Sequence, residues 1–235
     1  MDSRRALSFG AQAAAYDAAR PTYPAEAVRW ALAPAARQVL DLGAGTGKLT
    51  AVAHALGLEV VAVEPDDAMR AHIAGESLAG SAEDIPLPDE SVDAVLVGQA
   101  FHWFDPARAV PEMARVLRPG GTIGLLWNVL DDAIPWVAEL VDLWSAEDRA
   151  SFARMEHPPP FDGPAAGLTV PEQRMFEHVQ ELDADLLLDN IRSRSYVLLL
   201  PAEERTDLLD RARALTPTGR FPLPYVCDVW RATKA

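Results

Sequence analysis

Cysteine is nearly absent from this chain: Cys227 stands alone among 235 residues. An internal disulfide framework is therefore excluded, and no group of thiolates is available for zinc. Long apolar runs are missing too. Nowhere do ~20 consecutive apolar residues occur to span a bilayer. The basic pair in MDSRRALSFGAQ has no apolar stretch behind it to make a secretory leader, so a cytoplasmic protein is expected. Positive charge is scarce, with 21 Lys and Arg against 35 Asp and Glu and a net charge of −14. Such a surface repels phosphate backbones and anionic lipid, so neither nucleic acid nor membrane is expected as a partner. Internal repeats and low-complexity tracts are also lacking, and nothing in the sequence fixes an oligomeric state.

What is present is a globular composition, 49% hydrophobic, in a chain long enough for one large domain with a sizeable core. Strand signals alternate with helix signals. RQVLDL ends at Leu42 and runs through GAGTGK into the helix LTAVAHAL, closed by Gly57. LEVVAVE stops at Glu64 and Pro65, where Asp66 reads as an N-cap. A weakly marked strand near ESLAGSA follows, then SVDAVLV, a helix near PARAVPEMARVL, and a Pro-Gly-Gly turn that launches TIGLLWN. This order, with two further strands near the C-terminus, predicts βαβ units in an α/β, Rossmann-like sheet of seven strands, mainly parallel, with helices on both faces.

After Asn128 the pattern changes. A helical piece, IPWVAELVDLW, precedes the proline-rich HPPPFDGP, which cannot continue a helix. Residues 131–170 therefore read as a small cap inserted after the fifth strand, between a core of residues 1–130 and a completing segment of residues 171–235. The eight-residue spacing of Trp136 and Trp144 places both on one helical face, packed between cap and sheet. The last segment reads as a strand near RMFEHV, a helix from Asp183 to about Leu200, a helix over AEERTDLLDRARAL, and an antiparallel last strand, PYVCDVWRA.

Glycines 43, 45 and 47 make a loop tight enough for a ligand to lie against its backbone. The spacing discriminates among ligands. A dinucleotide fingerprint needs a glycine where Lys48 stands, and a P-loop needs Ser or Thr where Leu49 stands. Glu64, at the end of the next strand, is placed to accept two hydrogen bonds from a ribose diol. A ribose grip without a diphosphate grip points to adenosine lacking phosphates.

VLDLGAGTG, VAVEP, GSAEDIPLPDESVD and LRPGG, in this order, resemble class I S-adenosylmethionine-dependent methyltransferases, within them the type 11 small-molecule branch. YDAARPTYP and AFHWFD further resemble a bacterial subgroup described as trans-aconitate methyltransferase-like. The resemblance implies S-adenosylmethionine as cofactor. It lays Gly43, Gly45 and Gly47 along the methionine half, with Asp41 supporting the loop and Glu64 on the ribose hydroxyls. Pro65 and Ala82 would pack the adenine and Glu83 would read its edge. Gln99 and Ala100 would line the sulfonium side, and Tyr16 and Arg20 would close over the carboxylate.

GQAFHWFDP puts Phe101, His102, Trp103 and Phe104 at a strand's carboxyl end, where acceptor meets methyl group. They read as a pocket wall first and a core plug second. Either Trp103 or Phe104 is expected in the core, because an extended chain would point them oppositely. His102 is open to three roles: general base, substrate contact, or partner of a buried backbone group. Trp127 and Asn128 form a second candidate wall, and Arg192 or Arg194 could hold an acidic substrate or merely balance an acidic surface. Asp105 reads as a helix cap rather than a metal ligand, so no metal site is expected.

The implied function is methyl transfer to a small organic acceptor, at an oxygen of carboxylate, phenol or hydroxyl. The alternatives are a cofactor-binding protein that catalyses another reaction, a non-catalytic partner, or a nicotinamide oxidoreductase, which the glycine spacing disfavours.

Overall fold

The computed structural model describes residues 19–144 and 167–235, apart from the side chains of residues 195 and 196. Helix α1 (Ala25–Ala31) is followed by β1 (Gln38–Leu42), α2 (Lys48–Ala55), β2 (Glu59–Val63), a single turn α3 (Asp67–Arg70) and β3 (Glu76–Leu78). Then come β4 (Val92–Gly98), α4 (Pro106–Val116), β5 (Leu117–Leu130) and α5 (Pro135–Asp142). The chain ends with β6 (Glu172–Leu182), α6 (Ala184–Arg192), α7 (Ser195–Leu198), α8 (Ala202–Leu215) and β7 (Phe221–Thr233).

The seven strands form one sheet in the order β3-β2-β1-β4-β5-β7-β6. β1 to β5 pair in parallel, and β7 runs antiparallel to both β5 and β6. This is the architecture that the alternating signals and the closing strand predict. Chain direction across the sheet reverses between β1 and β4, and ligands bind beyond the carboxyl ends of strands at such a switch point.

Strand β4 is apolar on both faces because both are covered. Ala94 and Leu96 face α1 and α2, whereas Val95 and Val97 face α4. A third cluster joins Val137 and Leu140 of α5 to Leu187, Leu188 and Ile191 of α6 and to Phe221, Leu223 and Tyr225 of β7. Trp136 meets Phe221 edge-on in this cluster, and Trp144 is buried in it, two residues beyond the end of α5. The proline-rich run lies outside the described residues.

Two local expectations are corrected. The Pro-Gly-Gly turn is a bulge inside β5: Val92 pairs with Leu117 but Ala94 with Thr122, so Arg118–Gly121 swing out of register. The helix expected from Asp183 to Leu200 breaks after Arg192. The Ser193 hydroxyl donates to the Asn190 carbonyl at 2.6 Å, and the Ser193 residue caps α6.

Candidate functional site

Strand β1 ends at Leu42, and the next residues turn sharply over β2, the Gly43 and Ala44 amides both donating to the Val63 carbonyl. Gly43 has φ +70°, and a Cβ there would sit 2.7 Å from that of Ala100. Only glycine allows the loop to lie that close to the end of β4. Gly45 has φ +58°, and a Cβ there would meet nothing within 4 Å. Its backbone is bare on the side that a ligand would approach.

Glu64 follows β2 and is almost fully buried. Its two carboxylate oxygens accept one backbone N–H each, from Gly45 and Asp66, both at 2.9 Å. A carboxylate has about four lone-pair positions, so two remain for a diol. Burial raises the Glu64 pKa, partly offset by these two backbone hydrogen bonds. Asp41, wholly buried, accepts from the Thr50 hydroxyl at 2.6 Å through Oδ2, while Oδ1 is buried with no hydrogen-bond partner. Burial pushes its pKa up to about 7 against the Thr50 hydrogen bonds. An orphaned carboxylate oxygen under a ligand-sized cleft fits a cationic group such as an α-ammonium.

Beyond Gly98 the chain is held in a sparsely populated conformation. Gln99 has φ +56°, its amide donates to the Leu126 carbonyl, and its side-chain Nε2 donates to the Asn128 carbonyl at 2.8 Å. These bonds from β5 hold the strained residue in place. Phe101–Trp103 then form a 3₁₀ turn, so the expectation of an extended stretch is corrected. Phe101 turns into the core, edge-on to Phe104 and Trp127, while His102, Trp103 and Phe104 all line the cleft. The stretch GQAFHWFDP is thus mostly wall, with one plug. His102 Nδ1 is buried with no hydrogen-bond partner. Burial, and then the charge of Arg20, lowers the imidazole pKa to about 4, so the ring is neutral near pH 7.

The cleft has a volume of about 240 Å³ and is lined by the glycine loop with Lys48, by Glu64 and His102, and by Asn128, Asn190, Arg194 and Tyr225. Part of its wall comes from elements late in the chain. Arg20 donates through Nε to the Ser193 hydroxyl at 2.9 Å, pinning the residues before α1 to the end of α6. The Arg194 guanidinium lies 4.3 Å over the Trp144 ring. Asn128 donates to the Thr22 carbonyl and pairs through Oδ1 with His178 Nε2 at 2.9 Å.

Of the residues predicted from sequence, this cleft gathers Arg20, Asp41, Gly43, Gly45, Glu64, Pro65, Gln99, Ala100, His102, Trp103, Asn128 and Arg194. Others stand outside its lining. Gly47 is the N-cap of α2, and Ala82 is buried in the core beside Ile85. Glu83 accepts from the Asp105 amide at 2.9 Å, and Asp105 caps α4. Trp127 is core because strand alternation sends it to the α4 face. Arg192 is exposed and paired with Asp189 at 2.7 Å. Tyr16 lies outside the described residues. Sequence reasoning missed Tyr23, which stands within YDAARPTYP without being singled out, and Met69, Asn190 and Tyr225, which line the cleft but belong to no local pattern. Phe104 does both, lining the cleft and packing against the core cluster beside Phe101.

A methyltransferase-domain family profile matches residues 40–125. An uncharacterized methyltransferase of Mycobacterium tuberculosis is 47% identical over 247 residues, covering 99% of each chain. A malonyl-[acyl-carrier protein] O-methyltransferase of Methylococcus capsulatus is 37% identical over 158 residues, 60% of this chain and 56% of that protein. Among solved structures, a methyltransferase-family protein of Anaeromyxobacter dehalogenans is 26% identical and covers 92% of this chain and 97% of its own, with a TM-score of 0.64. Joined to the glycine loop, the Glu64 carboxylate and the sheet order, this full-length likeness means that the chain belongs to the class I S-adenosylmethionine-dependent methyltransferases and takes S-adenosylmethionine as its cofactor.

Proposed function

We propose that this enzyme methylates an oxygen atom of a small organic molecule. The observation that carries the reading is the lining of the cleft, where the Arg194 guanidinium stands with a neutral His102. An amine acceptor arrives largely as a cation and would be repelled there, whereas an ionised or hydrogen-bonded oxygen is attracted. Similarity to an O-methyltransferase over 60% of the chain supports the same acceptor atom.

Bound S-adenosylmethionine supplies a methyl group on a positively charged sulfur, so the leaving group needs no proton. The protein's work is then to bind, orient and exclude water. Glu64 holds the ribose hydroxyls with its two remaining lone-pair positions, and Pro65 with Met69 flanks the base. Asp41 and the glycine loop take the methionine half, with Arg20, and in this reading Tyr16, over its carboxylate. Gln99 and Ala100 border the sulfur. His102, uncharged, accepts a hydrogen bond from the acceptor hydroxyl or takes its proton, and Trp103, Phe104 and Asn128 wall the acceptor in. The acidic surface, at −14, argues against nucleic-acid acceptors, and the buried free thiol of Cys227 suits a reducing compartment such as the cytoplasm.

Calorimetric titration with S-adenosylhomocysteine tests the cofactor site, and transfer of a carbon-13 methyl tests the acceptor atom. Binding of S-adenosylhomocysteine but not NADH is expected, with a methyl resonance of the O-methyl class in the product. An N-methyl or C-methyl product overturns the oxygen assignment, and absence of heat overturns the site.

A further inference from the structure

From Met175 onward, strand β6 alternates an exposed row with a half-buried one, and Phe176, His178 and Gln180 make up the half-buried row. Phe176 packs against the core beneath it. His178 and Gln180 are polar, and neither belongs to the lining of the cleft. Both instead hold what does line it. Gln180 donates to the Ala19 carbonyl at 3.1 Å, just before Arg20. His178 stands behind two lining residues at once. Its ring stacks on that of Tyr225, with centroids 5.4 Å apart and planes 21° apart, and its Nε2 lies 2.9 Å from Asn128 Oδ1.

The neighbours of this contact assign its protons. The Thr22 carbonyl can only accept, so the Asn128 atom 3.1 Å from it is the amide nitrogen. The amide oxygen then faces His178. Because that oxygen also only accepts, the imidazole carries its proton on Nε2. Turned over, the amide would press its oxygen against the Thr22 carbonyl. Thr22 and His178 therefore select one of the two ways the amide can lie. An NH₂ group has two hydrogens, and Thr22 takes one. The other has no partner among the described residues, and Asn128 lines the cleft. The backbone of Asn128 is fixed as well, since its carbonyl accepts from the Gln99 side chain at 2.8 Å. Packing alone does not call for this arrangement, because two apolar side chains of similar shape would fill the space at little cost.

We propose that His178 is a positioning residue for methyl transfer: its Nε2–H holds the Asn128 amide so that the remaining Nδ2–H donates to a lone pair of the methyl acceptor. His178 itself touches neither acceptor nor cofactor. The stack on Tyr225 keeps the imidazole plane in place, and the hydrogen bond to Oδ1 passes that rigidity to the amide. Asn128 is thereby a wall with a directed donor. The inference rests on the methyl-transfer reading above.

The test uses the purified full chain in two measurements. In the first, NMR of protein carrying nitrogen-15 histidine, at about pH 8, should find the ring of His178 protonated on Nε2, its signals identified by their loss in a His178 variant. The second follows transfer from methyl-labelled S-adenosylmethionine, with graded dilutions of a low-molecular-weight extract of the producing cells as the source of acceptors. His178→Phe keeps a ring against Tyr225 and loses the donor, whereas His178→Gln loses the ring and keeps an N–H at the end of its side chain. The phenylalanine variant should raise KM for the acceptor about 5- to 10-fold with kcat retained, and the glutamine variant should stay within about twofold of the parent in both. In an Asn128→Ala background, His178→Phe should add nothing further to KM. Affinity for S-adenosylhomocysteine should stay within about twofold in both His178 variants. A ring protonated on Nδ1, unchanged KM in His178→Phe, loss in the glutamine variant alone, or additive losses with Asn128→Ala overturns the proposal. If Asn128→Ala does not fold, the ring protonation and the contrast between phenylalanine and glutamine decide. Cofactor binding with no labelled product at all overturns the transfer reading and this inference with it, whereas product formed at unchanged KM overturns the inference alone.

Discussion

The Glu64 carboxylate ties the strand that carries it to the glycine loop by accepting the Gly45 amide at 2.9 Å. With the Asp66 amide on its other oxygen, at the same distance, the group is oriented before any ligand arrives. Preorganisation of this kind makes the side chain hard to replace. In Glu64→Gln one oxygen becomes an NH₂, which faces a backbone N–H and offers nothing to it. Calorimetry should find S-adenosylhomocysteine affinity reduced about 10- to 100-fold, with a Tm loss that reflects about 1–3 kcal/mol for the unsatisfied amide. Unchanged affinity would remove Glu64 from the ribose grip.

Asp41 sets stability against binding. Its ordinary value of 3.8 applies in the unfolded chain, and burial pushes it to about 7 in the fold. Between these values the folded state holds a proton that the unfolded state has released. This contribution to stability is full below pH ~4, falls as pH rises, and is gone above about 7, a loss of about 1.4 kcal/mol per unit of pKa difference. Asp41→Asn keeps an acceptor for the Thr50 hydroxyl and carries no charge. Differential scanning calorimetry should show the variant more stable than the parent at pH 8, the gap closing toward pH 5, while cofactor affinity falls. A gap that does not narrow with acid refutes the assignment.

The core of the fold was legible because its signals are local. The apolar runs of β1, β2 and β4, the turn glycines and the Asp66 and Asp105 caps each lie within a few residues of what they control. The cofactor half of the cleft was legible for the same reason, since Asp41 to Pro65 is one βαβ unit. The acceptor half was not. Asn190, Tyr225 and Tyr23 reach it from α6, β7 and the segment before α1, and only tertiary packing brings them together. The fork between Arg192 and Arg194 turned on the helix break at Ser193, where a hydroxyl bonds back to Asn190 instead of continuing the helix. The role of Phe101 turned on a 3₁₀ turn in a stretch that strand periodicity would extend.

His102 should not titrate in the working range. Burial and the Arg20 charge hold its pKa near 4, so the pH profile of kcat should show no inflection from this residue between about pH 5.5 and 8. His102→Ala should lower kcat about 10- to 100-fold, the range of a positioned acid–base or hydrogen-bonding group, and leave S-adenosylhomocysteine affinity nearly unchanged. An NMR titration of the ring protons provides the direct check. A midpoint near the usual imidazole value, or full activity in the alanine variant, would remove the residue from the acceptor site.

Gly43 and Gly45 offer a contrast within one loop. Both have positive φ, so alanine costs about 1 kcal/mol of backbone strain at either position. At Gly43 the new methyl also falls 2.7 Å from the Ala100 Cβ and 3.2 Å from Phe104 Cζ, and the loop must lift off the end of β4. Overpacking of this kind adds about 1–3 kcal/mol, so Gly43→Ala should lower Tm clearly more than Gly45→Ala. Gly45→Ala meets open space in the free protein, and its methyl projects toward the bare backbone where the methionine half is proposed to lie, so it should weaken S-adenosylhomocysteine binding more than it weakens the fold. The clash at Gly43 has an identified partner, which makes it separable. Adding Ala100→Gly to Gly43→Ala removes the shorter contact and should recover a measurable part of the lost stability, a coupling that a double-mutant cycle on Tm isolates. Strictly additive losses would mean that the loop and the turn after β4 do not pack as described.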